Sequence, residues 1–99
     1  MLILFSSSDF KKDYIIIELE FFGVLKRFFE YSLFFQVFSG ITILQLRKML
    51  VFFLKKNNIF FNVDLLRSSV FSNYSEVLLD DFVLIFSQKL FILPPVTGG

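Results

Sequence analysis

The chain of 99 residues contains no alanine, histidine, cysteine or tryptophan, and only four glycines and two prolines. Without cysteine there is no disulfide framework and no thiolate metal site. Without histidine the commonest metal ligand and general base are missing. The remaining candidate catalytic groups are Ser, Asp, Glu, Lys and Tyr. They form no recognisable constellation, so no enzymatic activity, cofactor or metal is expected. The first residues are apolar but lack a basic leader, and no Arg-rich amphipathic transit segment follows.

What the chain has in excess is phenylalanine, 17 residues, within a hydrophobic fraction of 56%. No fold requires Phe at that frequency while excluding Ala. Codons for Phe, Leu, Ile, Lys and Asn are rich in A and T, so the bias points to an AT-rich genome, read here as mitochondrial. The apolar fraction exceeds the roughly 45–50% of soluble domains. A chain this short therefore exposes apolar surface that another molecule would cover, which implies a subunit of a large assembly or a membrane protein.

The net charge is only +1, but the cations are clustered. Lys11-Lys12, Lys26-Arg27, Arg47-Lys48 and Lys55-Lys56 are adjacent doublets, with Arg67 and Lys89 alone. Doublets of this kind either solvate and flank apolar segments or contact phosphates. Lys26, Arg27, Arg47, Lys48, Lys55, Lys56 and Arg67 are the candidate RNA-binding residues.

Along the chain, Tyr14 to Phe22 is β-branched and aromatic and reads as a strand, with Glu18 and Glu20 on one face. A helix continuing through Gly23 is the competing reading. Val24 to Phe38 is apolar almost all round and is expected to be a buried or lipid-facing helix, broken at Ser39-Gly40. A second helix is expected from Thr42, with Ile43, Leu46, Met49, Leu50, Phe53 and Leu54 at spacings of three and four. Asn57-Asn58 marks a turn. Ile59 to Val63 reads as a short strand, Asp64 to Tyr74 as loop or short helix, and 77–79 and 82–86 as strand pieces around the acidic turn Asp80-Asp81. Pro94 to Gly99 forms an extended tail.

The expected class is thus α+β, two packed helices with a small mostly antiparallel sheet, in one domain. Residues 1–23 would be an N-terminal extension or strand, 24–90 the helix pair and sheet, and 91–99 the tail. The longest uncharged stretch, Tyr31 to Leu46, would span about 24 Å as a helix, short of the roughly 30 Å of a bilayer core.

The order of elements from Lys26 to Ile85 resembles the RNA-binding domain of the small-subunit ribosomal protein four family. Arg27-Phe28-Phe29-Glu30 stands for the start of its first helix and Arg47-Lys48-Met49-Leu50 for its second. Ile59-Phe60-Phe61-Asn62 is similar to its strand ending in Asn, and Asp80-Asp81-Phe82-Val83 to its last turn. In a second register Phe22-Gly23-Val24-Leu25 resembles the family's preceding helical region, and Arg67 becomes the second-helix arginine. The resemblance implies a structural protein of the mitochondrial ribosome, contacting ribosomal RNA and neighbouring ribosomal proteins. The alternative is a small subunit of a respiratory-chain complex in contact with the membrane.

Overall fold

The computed structural model describes residues 2–4, 13–27, 29–59 and 62–95. Its elements are β1 (Leu2–Leu4), β2 (Tyr14–Phe21), a 3-10 turn (Gly23–Arg27), β3 (Leu33–Phe38), β4 (Ile41–Thr42), α1 (Ile43–Lys56), α2 (Val63–Arg67), β5 (Val70–Ser72), β6 (Val77–Leu78), β7 (Val83–Leu84) and β8 (Gln88–Leu93).

Strict alternation builds the centre of the sheet. In β2, Ile15, Ile17, Leu19 and Phe21 are buried while Ile16, Glu18 and Glu20 face the other way. Leu33, Phe35 and Val37 of β3 and Leu90 and Ile92 of β8 repeat the pattern. A period of two sends alternate side chains to opposite faces, so one face becomes core. The six-stranded order is β1-β3-β2-β8-β5-β6. β2 and β3 are antiparallel, β8 runs parallel to β2, and β5 is antiparallel to β8. The short pair β4 and β7 stands apart.

One helix covers the buried face. Thr42 caps α1, its hydroxyl accepting from the Gln45 amide at 3.2 Å while the Gln45 side chain accepts from the Thr42 amide at 2.8 Å, a reciprocal capping box. Ile43, Leu46, Leu50, Phe53 and Leu54 form its buried stripe, and Phe53 meets Phe35 of the sheet edge-on with centroids 5.9 Å apart. Asn58, at φ 56°, turns the chain after the helix, as Asn-Asn suggests. One long helix lying across a mixed sheet in this order, with the short α2 beside it, is the β-grasp arrangement.

The expected pair of packed helices is therefore corrected to a mostly β architecture. Only the second helix forms. The segment 24–38 instead makes the 3-10 turn and β3, with Tyr31 74% exposed between them. Phenylalanine supplied apolar residues on both faces of β3, erasing the alternation that marks a strand; its own preference for strands then decided the outcome. Ser39-Gly40 turns β3 into β4, Gly40 at φ 103°, and ends no helix. The strand expected over 59–63 falls partly on residues 60–61, outside the described residues, and Val63 begins α2. No helix among the described residues is long and apolar enough to cross a membrane.

Candidate functional site

β8 is the strand on which the candidate site is built. It is paired on both sides, to β2 and to β5, so its direction is fixed by two ladders. Leu90 and Ile92 anchor it in the core. Lys89, Phe91 and Leu93 lie on the opposite face, which no helix among the described residues covers.

That open face is amphiphilic. Phe91 packs edge-on against Phe22 at 5.3 Å and against Tyr74 at 4.9 Å, and Tyr74 remains 80% exposed. Edge-to-face pairing of this kind is the favoured aromatic geometry. Beside the rings, the Lys89 ammonium lies 2.8 Å from the Glu20 carboxylate and 3.7 Å from that of Glu18, and 5.6 Å from the Phe91 centroid. The hydrogen bond to Glu20 raises the Lys89 pKa above its ordinary 10.5; desolvation works against the shift, and the charges of Glu20, Glu18 and Tyr74 add to it. The two glutamates that the sequence places on one face are thus partners of a lysine two strand positions before Phe91.

Two residues beyond Phe91 the strand ends, and Pro94-Pro95 follow. Val96, Thr97, Gly98 and Gly99 lie outside the described residues. Gly23, which follows β2 after Phe22, sits against Pro94.

The seven candidate RNA-binding cations do not form one surface. Arg47, Lys48 and Arg67 come together with Leu44, Val51 and Asp80 around one groove of about 350 Å³. Arg47 is nevertheless turned inward. Its guanidinium donates to the carbonyls of Leu66 at 3.0 Å and Ser69 at 2.7 Å and to the Ser69 hydroxyl at 3.1 Å, pairs with Asp80 at 3.0 Å and stacks on Phe71 at 4.8 Å. Lys48 and Arg67 remain exposed. Lys55 and Lys56 occupy the last turn of α1, where cations complement the helix dipole. Lys26 and Arg27 close the 3-10 turn, Lys26 lying 5.9 Å from the Phe22 ring centroid.

Sequence reasoning missed the open face and the role of β8. The signal was present in Gln88-Lys89-Leu90-Phe91-Ile92-Leu93, an alternating run punctuated by Pro-Pro. Pairing across 70 residues, which makes it central, is not visible in a local window.

No protein-family model matches the sequence, and comparison with curated proteins finds no match. Among solved structures, the chain is similar to the solution structure of the Haloferax volcanii HVO 2177 protein. The TM-score is 0.64 and the identity 16%, over 95% of this chain and 99% of the other. At that identity the likeness establishes a shared fold across nearly the whole chain and nothing about activity.

Proposed function

We propose that this protein is a carrier or modifier: a small folded domain that serves as the substrate of other enzymes through a carboxyl group at Gly99. The observation that supports this reading is the continuity of the central strand β8 with Pro94-Pro95-Val96-Thr97-Gly98-Gly99. A strand held by two ladders fixes where the tail begins. Two prolines, with φ locked near −65°, stiffen its first residues. Two successive glycines then present backbone without side chains, which is what a narrow active-site channel of a partner can admit.

The chemistry follows from the carboxyl group. The reading requires that group at Gly99, whether the chain terminates there or a protease exposes it. A carboxylate is a poor electrophile and must be activated before transfer. Attack of its oxygen on the α-phosphorus of a nucleoside triphosphate forms an acyl-nucleotide anhydride and releases pyrophosphate. A nucleophile then takes the acyl group and releases the nucleoside monophosphate. An amine gives an amide; a sulfur donor gives a thiocarboxylate. The domain contributes recognition, through the aromatic and charged open face, and the partner contributes the chemistry.

The ribosomal reading is the rival. It drew in part on a helix pair the fold does not contain, and Arg47 is held by its own chain, leaving Lys26, Arg27, Lys48, Lys55, Lys56 and Arg67 as its support. One experiment separates the two: the full chain is added to fractionated extract of its own cells, and ATP–pyrophosphate exchange is followed, together with mass analysis of the C-terminal peptide. We expect exchange that depends on the added chain and vanishes when Gly98 and Gly99 are deleted, with Gly99 recovered as an amide or with sulfur in place of one oxygen. Absence of exchange, with the protein co-sedimenting with ribosomal RNA irrespective of the deletion, would establish the rival.

A further inference from the structure

The tail of a carrier is useful only if it leaves the domain in a reproducible direction, and one contact in the structure bears directly on that direction. After β2 the chain does not simply depart from the sheet. The Phe22 amide donates to the Ile92 carbonyl at 3.0 Å, extending the β2–β8 ladder to its last rung. The Leu25 amide donates back to the Phe22 carbonyl at 3.1 Å, closing the 3-10 turn, and the fully buried Leu25 side chain anchors that turn in the core.

Gly23 lies at the bend, with φ at +60°. A Cβ at this position would stand 3.2 Å from Cγ and 3.5 Å from Cδ of Pro94. A side chain here would therefore crowd the first proline of the tail, whose ring would have to give by a few tenths of an ångström. By contrast, a Cβ on Gly40, also at positive φ, would meet nothing within 4 Å. At Gly40 the backbone angle alone calls for glycine, whereas at Gly23 the angle and the close approach to the tail both do.

We infer that Gly23 is a positioning residue: the turn it permits forms a bearing surface for Pro94 and sets the direction in which Pro94 and Pro95 leave the sheet. Pro94 faces the turn on one side, where a Cβ on residue 23 would stand 3.2 Å from its Cγ. It is held on the strand side by the rung between Phe22 and Ile92. The locked φ of Pro94 and Pro95 keeps that direction through these two residues. A side chain on residue 23 would push the ring away and re-aim the tail while leaving the open face, and hence recognition by the partner, unchanged. The inference rests on the carrier reading for its purpose, but its geometry can be tested without any partner.

The chain has no cysteine, so Gly99→Cys introduces a single thiol for a nitroxide label. Paramagnetic broadening of the domain's amide signals then maps where the tail end resides. Three further substitutions are compared in that background. Gly23→Ala adds both the Cβ and a disfavoured backbone angle. Gly23→Asn adds the Cβ, but Asn tolerates positive φ far better. Pro94→Ala removes the ring that meets the turn.

We expect all three to redistribute the broadening, with the Gly23→Asn variant keeping a wild-type unfolding midpoint more nearly than Gly23→Ala does. A role confined to folding would instead let Asn restore both stability and the broadening pattern. Should Gly23→Ala fail to fold, the Asn and Pro94→Ala variants carry the test. An unchanged pattern in the variants that fold overturns the inference. In the exchange assay, with the native Gly99 retained, Gly23→Asn should lower kcat with KM unchanged. An unaltered kcat would equally overturn it. Loss of exchange in the wild type condemns the carrier reading but leaves the broadening result standing, so the two failures are distinguishable.

Discussion

Replacing Arg47 by Met should unfold the protein far more easily than replacing a surface cation. The Arg47 side chain is only 12% exposed, against 54% for its partner Asp80. Its guanidinium is the acceptor-satisfying group for the carbonyl of Ser69, a buried residue at the junction of α2 and β5, and also reaches the Leu66 carbonyl. Leu66 O retains the Ser69 hydroxyl at 2.6 Å after the substitution, so the main loss is at Ser69. Hydrogen bonds from a charged donor contribute about 1.5–3 kcal/mol, and the carbonyl left behind is desolvated. Stacking of the guanidinium on Phe71 adds roughly 1 kcal/mol, part of which Met recovers by packing. The exposed half of the Asp80 pair contributes little. The sum is a destabilisation of roughly 3 kcal/mol, a large share of the about 5–15 kcal/mol that holds a domain together. Urea unfolding followed by circular dichroism reads it. With a slope of roughly 1.5 kcal/mol/M, the midpoint should fall by about 2 M. A change within about 0.5 kcal/mol, as for an ordinary surface substitution, would refute the assignment of Arg47 as an internal tie and return it to the solvent-facing role that the sequence suggested.

Thr42→Ala removes the hydroxyl that caps α1 and breaks its reciprocal bond pair with Gln45; the expected loss is about 1 kcal/mol by the same denaturation, largely recovered by Thr42→Ser. Lys89 gives an alkaline signature. Its folded-state pKa lies above the ordinary 10.5 because of Glu20 first, with Glu18 and Tyr74 adding to the pull. The stabilisation is fully present below the unfolded value and is lost as pH rises through the folded one, so Lys89→Met should flatten the decline in unfolding midpoint above pH 10.5; an undiminished decline would show that another group causes it.

Several features of this protein were settled by the sequence. Absence of His and Cys restricted the side-chain chemistry. Ile43, Leu46, Leu50, Phe53 and Leu54 repeat at three and four residues, so α1 was legible as a helix, whereas its capping box of Thr42 and Gln45 emerged only in the structure. Tyr14 to Phe22 was read as a strand, against a competing helix, because the run is β-branched and aromatic with Glu18 and Glu20 on one face, and the strand forms over Tyr14–Phe21. Each of these signals is local: a period, a residue preference or a missing functional group can be read within a few residues. Tertiary structure decided the rest. Residues 33–38 became β3 because the β2 edge offered a partner for their backbone, a choice that apolar residues on both faces conceal. Arg47 left the solvent because Ser69, Phe71 and Asp80 meet around it, from positions 22 to 33 residues away. β8 became the centre of the sheet, and so the root of the tail, only by pairing with β2 some 71 positions earlier. Such pairings carry no local signature, since the free energy that selects them comes from burying one face of a sheet assembled from distant segments.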